Sequence, residues 1–87
     1  MGKEMQINEI NEEIKVGAVF DDHKVIPKWF YWAKRKHEIK KIEHTWRAKD
    51  GEAGLIFFSV TAGANVYEIR LNQKTLEWHL EKIYTEG

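Results

Sequence analysis

Along residues 14–20, IKVGAVF, the side chains Ile14, Val16, Ala18 and Phe20 fall at every second position. That two-residue period is the mark of a half-buried β-strand. Asp21-Asp22-His23-Lys24 then reads as a turn, because short polar side chains there can bond their own backbone. Residues 25–32 predict a second strand, with Ile26, Phe30 and Trp32 on one face and Val25, Trp29 and Tyr31 on the other. Pro27 has no N–H to give to a ladder, so it belongs near the strand start or on an edge. Residues 55–62, LIFFSVTA, are rich in β-branched and aromatic side chains and too short for a typical helix. Residues 66–71 alternate Tyr67, Ile69 and Leu71 with Glu68 and Arg70. Residues 75–84 alternate Leu76, Trp78 and Leu80 with Glu77, His79 and Glu81. Gly63-Ala64-Asn65 and Asn72-Gln73-Lys74 separate these three runs, which predict an antiparallel meander.

Two segments do not follow the two-residue period. Lys34-Arg35-Lys36 reads as a charged hairpin turn, but beyond it Ile39, Ile42 and Trp46 stand three and four apart. Such spacing is helical, and the residues between are good helix formers. Two readings follow. One is a helix over 33–49 in an α+β fold. The other is a long strand with a β-bulge near Lys40-Lys41, which shifts the inward face by one residue. Asp50-Gly51 closes the segment as a turn. Residues 1–13 are polar, with Ile7 and Ile10 as their only branched aliphatics. They predict a frayed tail, or one helical turn using Ile7, Ile10 and Ile14, ahead of a single β domain at 14–87.

A particular order of residues decides between the two readings of 33–49. Pro27, Phe30-x-Trp32, a short basic turn, His37, Ile39-x-x-Ile42-x-x-x-Trp46, and the later NVYEIRL and TLEWHL follow one another. This order resembles a family of small all-β bacterial proteins, a domain of unknown function, some members of which are encoded beside error-prone DNA polymerases. The resemblance covers about 14–80. The sequence departs from it in having no Gly in the turn after Trp32, and His rather than an aromatic residue at 37. The resemblance implies the bulged strand, and so an all-β fold; it implies no activity. Five to six antiparallel strands on a chain this short are expected to form a small barrel or a strongly curled sheet, which removes exposed edges. The bulge, Gly17, Gly54 and Gly63 are natural places for such a sheet to bend.

The chain of 87 residues makes one domain with a thin core. Four Trp, four Phe and three Tyr compensate, since each ring can bury roughly 150–250 Å². We place Trp46 and Trp78 in that core. Without cysteine there is neither a disulfide framework nor thiolate chemistry. No apolar run approaches the ~20 residues of a membrane span. The polar, acidic start does not read as a signal peptide, and Gln6 stands where a myristoylation motif has Ser or Thr. A soluble cytoplasmic protein without membrane contact is expected.

Zero net charge conceals an asymmetry. Residues 1–23 carry net −4, residues 24–49 net +7 and residues 50–87 net −3. A basic block between acidic flanks is either a binding patch or the consequence of opposite charges meeting across strands.

Little in the sequence points to catalysis. His23, His37, His44 and His79 form no close pair of the kind that binds zinc, so no metal or other cofactor is expected. Asp21, Asp22 and His23 are turn neighbours whose side chains diverge. Ser59 lies in an apolar strand without G-x-S-x-G around it, and neither Gly51 nor Gly54 opens a phosphate-binding loop. We therefore expect a binding module, not an enzyme. Its first reading is protein–protein interaction, with a separate partner or as a homodimer, an uncovered strand such as 14–20 accepting another strand. The alternative is single-stranded nucleic acid on an aromatic and basic face around 28–41. The candidate residues are Lys28, Trp29, Tyr31, Lys34, Arg35, Lys36, Lys40 and Lys41. There bases would stack and cations would meet phosphates. A small ligand in a barrel mouth is a further option.

Overall fold

The structure, a computed structural model, describes residues 4–86. It is all-β, and its seven strands are β1 (Met5–Asp21), β2 (Lys24–Trp32), β3 (Arg35–Glu38), β4 (Lys41–Asp50), β5 (Ala53–Ala62), β6 (Asn65–Asn72) and β7 (Trp78–Glu86). They form one antiparallel sheet in the order β3-β2-β1-β7-β6-β5-β4. The meander expected over 55–84 is present as β5, β6 and β7. No helix forms over 33–49.

Seven strands replace the expected five to six because one expected strand is divided. Residues 35–38 pair with β2 and residues 41–50 pair with β5. The change of partner happens in one chain step. The Ile39 N–H donates to the Lys28 carbonyl at 3.0 Å, and the Lys40 N–H donates to the Thr61 carbonyl at 2.8 Å. No strand ladder joins β3 to β4, so the sheet is strongly curled but not closed. The curl is visible in the packing: the Phe30 ring on β2 meets the Tyr67 ring on β6 edge-on, with centroids 4.9 Å apart.

The helical spacings come from bulges and from faces that alternate. Ile39 and Ile42 pack on the core. Ile42 then pairs with Val60 and His44 with Ser59, which leaves Glu43 as an extra residue. Beyond that bulge the parity is reversed, so Trp46 pairs with Phe57 on the outer face and is 39 % exposed. The expectation that Trp46 is a core residue is thereby corrected. The bulge lies at Glu43, a little beyond the expected Lys40-Lys41.

The expected tail or helical turn is also corrected from Met5 onward; residues 1–3 lie outside the described residues. Residues 5–14 are strand, paired with β7. Ile10 and Ile14 pack on the core, whereas Ile7 is exposed. A bulge between Glu9 and Glu12 includes Asn11 with φ +54°, a conformation Asn tolerates better than most residues. A third bulge, at Lys28, puts Val25 and Pro27 on the face of Phe30, and Ile26 on the face of Trp29. Pro27 is fully buried on that inner face.

The core is built from Phe30, Phe58, Val60, Ile69, Leu71 and Leu80, all at most 2 % exposed, with Trp78, Ile14, Ile56, Tyr67 and Ile83 around them. Leu76, expected on the same strand face as Trp78, precedes β7 with φ +65° and is exposed. The Asn72 side-chain carbonyl holds the turn there, accepting from the Lys74 and Thr75 N–H groups at 2.9 and 3.1 Å.

Candidate functional site

The β2–β3 hairpin carries most of the candidate residues. Its turn is Ala33-Lys34, both with positive φ (55° and 65°), the twist that matches a two-residue hairpin. Arg35 and Lys36 thus stand on β3 itself. The absence of Gly in this turn is met by forcing Ala33 and Lys34 into the left-handed region.

Register sorts the hairpin into two faces. Phe30 pairs with His37 and Trp32 with Arg35. His37 lies flat on Phe30, with ring centroids 4.8 Å apart and planes at 10°. Its Nε2 is 3.1 Å from the Trp32 carbonyl, to which it donates as the protonated nitrogen. His37 thus packs as an aromatic ring on the core side of the hairpin.

On the outer face, Trp29 pairs with Glu38 and Tyr31 with Lys36. Trp29 is half-buried because its indole lies over Gly17, its partner on β1. The Lys36 ammonium sits 5.0 Å above the same ring, close enough for a cation–π contact, and also pairs with Glu38 at 3.3 Å. Trp29 is therefore in contact with both Gly17 and Lys36. Tyr31 remains open, at 49 % exposure. Lys28, Lys34, Arg35, Lys36, Lys40 and Lys41 are all exposed. Lys41 pairs with Glu43 at 3.6 Å. The Thr61 hydroxyl donates to Glu43 at 2.7 Å and is the main reason its carboxyl is held below the ordinary glutamate value, with the Lys41 charge assisting.

The Gly17–Trp29 contact leads to a firm expectation. A Cβ on residue 17 would overlap the indole. Gly17→Ala should destabilise the domain by about 1–3 kcal/mol, the usual cost of overpacking. It should also shift tryptophan emission to the red as Trp29 is pushed into water. Unchanged emission would mean that the indole does not rest on this glycine.

Two features were not anticipated. The edge strands of the sheet are the four-residue β3 and the ten-residue β4, not 14–20: residues 15–21 pair with β2, and Ile14 pairs with β7. β4 pairs only with β5, and every residue of 43–50 is exposed. On the outer face beside it, Trp46 stacks on Phe57 with centroids 5.3 Å apart and planes at 6°. A groove of about 540 Å³ runs from this stack past Val66 and Tyr84 to Met5. The only advance sign of the free edge was that 43–50 is polar at most positions, as an edge strand tolerates.

Among the described residues, no group of three or more His, Asp or Glu is placed to hold a metal ion. No helix there is long and apolar enough to cross a membrane. No family model, curated protein or solved structure matches the chain.

Proposed function

We propose that this domain is a protein-interaction module that receives an extended segment of a partner along the edge of β4, acting by binding and not by catalysis. One observation carries the reading: β4 presents ten residues of strand with a neighbour on one side only, and its last eight residues are solvent-exposed. Unpaired N–H and C=O groups in a row are a template for another strand. The exposed Trp46–Phe57 stack beside that edge supplies apolar surface for alternate side chains of the incoming segment.

Selecting extended peptides from a displayed random library tests this. Binders should perturb the backbone amides of residues 43–50 and lose affinity on Thr45→Pro, which removes an N–H that points away from β5. Binders that perturb only other strands would rule the reading out.

A second reading, single-stranded nucleic acid on the β2–β3 face, has support from Tyr31, which stands open among Lys34, Arg35 and Lys36. The contacts of the Trp29 indole with Gly17 and Lys36 weigh against it, because they occupy ring surface on which a base would stack. A mixed oligonucleotide that quenches tryptophan emission at low salt, and less so at moderate salt, would favour this reading.

A further inference from the structure

We infer that the open seam of the sheet between β2 and β4 is a ligand site, and that its occupant is a single-chain amphipathic anion, a free medium-chain carboxylate. This goes beyond strand addition at the β4 edge and does not rest on it.

The seam comes from the change of partner at Ile39-Lys40. Before that step the chain covers the edge of β2; after it, the chain covers the edge of β5. Between the β2 residues 24–26 and β4 lies a cleft of about 330 Å³. Phe58 and Ile56, both buried, form its floor, and Val25 and Ile42 line it from either side. Ligand pockets have this make-up, an apolar lining with a few polar groups, and begin at about 300 Å³. At about 30 Å³ for each water-sized group, the cleft holds about eleven non-hydrogen atoms. It is also long. Ile42 pairs with Val60 and Arg47 with Ile56, which lie about 13 Å apart along β5. A space of that length and volume suits one extended chain of about eight to ten carbons.

Register places positive charge on the same face as this floor. Thr45 pairs with Phe58, Arg47 with Ile56 and Lys49 with Gly54, and residues directly opposite share a face. The Thr45 hydroxyl and the Arg47 guanidinium therefore border the apolar floor, and Lys49 follows on the same side. Arg47 and Lys49 are exposed and make no ion pair with a carboxylate among the described residues. Asp50 falls on the other face by alternation, and Glu43 is engaged by Lys41 and Thr61. Across the cleft, Lys24 has Asp21 directly opposite on β1, so the unbalanced charge is that of Arg47 and Lys49. An inorganic anion would leave the floor in water. A neutral chain would leave Arg47 without a partner, and a cation would be repelled. A carboxylate on an apolar chain meets both demands. The guanidinium fork matches a carboxylate, and the apolar surface beside it strengthens the pair over its value in open water.

Titration with decanoate and its analogues, each below its micelle-forming concentration and followed by amide chemical shifts, tests this. Decanoate should perturb the amides of Val25, Ile42, Thr45 and Arg47, and bind at least about ten-fold more tightly than decanol or decylammonium. From hexanoate to decanoate, affinity should rise about three- to four-fold per added carbon, and it should level off at dodecanoate once the cleft is full. Arg47→Glu should weaken decanoate at least about ten-fold and turn the preference to decylammonium. Arg47 is exposed, so this variant should melt like the parent. No binding of decanoate at millimolar concentration would overturn the inference. So would equal binding of decanoate and decanol, perturbation centred away from the cleft, or an affinity that Arg47→Glu leaves unchanged.

Discussion

Phe30→Ala is expected to remove a large share of the protein's stability, and so to lower its melting temperature by tens of degrees. Phe30 is fully buried, stacked on His37 from the neighbouring strand and met edge-on by Tyr67 from β6. It joins two parts of the sheet that are separated by β1 and β7 in the strand order. Truncating a buried Phe costs about 3–5 kcal/mol, through lost transfer energy and the cavity left behind. Folded domains have about 0.05–0.15 kcal/mol of stability per residue, so this one has little to spare. Each kcal/mol lowers the melting temperature of a domain this size by about 4–8 °C. Thermal melts followed by circular dichroism check the expectation. A variant that melts within a few degrees of the parent would mean that β2 does not curl over β6.

Trp78→Ala should have an effect of the same size, about 3–5 kcal/mol, whereas Trp46→Ala should cost about 1 kcal/mol. The sequence offers Trp46 and Trp78 alike as core tryptophans, and nothing in composition separates them. Structure does. Trp78 is 9 % exposed, opens β7 opposite Ile14 and Leu71, and tilts against Phe58 at 5.7 Å. Trp46 lies outside, in contact with Phe57. Its loss removes one aromatic stack, worth about 0.5–1.5 kcal/mol, and leaves no internal cavity. Equal destabilisation by the two variants would return Trp46 to the core and remove the Glu43 bulge that turns it outward.

The strands of the meander were legible because alternation over residues 66–71 and 78–80 coincides with burial: Tyr67, Ile69, Leu71, Trp78 and Leu80 are all buried. Where legibility failed, a bulge was the cause. At Lys28 and Glu43 one extra residue puts the side chains before and after it out of phase, so Ile26, before the first bulge, and Trp46, beyond the second, were assigned to the wrong face. A bulge leaves almost no compositional trace, since the residue it adds need only tolerate exposure. The N-terminal strand was missed for a related reason. Met5 and Ile7 face outward and the rest of 4–9 is polar, so pairing with β7 provides what hydrophobic patterning does not.

The candidate residues fared unevenly. Lys28, Tyr31, Lys34, Arg35, Lys36, Lys40 and Lys41 are exposed, as a binding face requires, while Trp29 is held over Gly17. The free edge was barely legible in the sequence, the polarity of 43–50 being its one sign. Which strand is left without a neighbour depends on the partner change at Ile39-Lys40. That change is a matter of two backbone hydrogen bonds, one to each edge.

Amide hydrogen exchange on the dilute protein tests the central claim most directly. β5 and β6 have neighbours on both sides and should exchange slowly throughout. Along residues 43–50 only the amides that donate to β5 should be slow; those that point away should exchange at rates near those of an open chain. That alternation is the expected result for an edge awaiting a strand. Uniform protection along 43–50 at low concentration would mean that the chain already covers this edge, and the account of β4 as a docking site would be wrong.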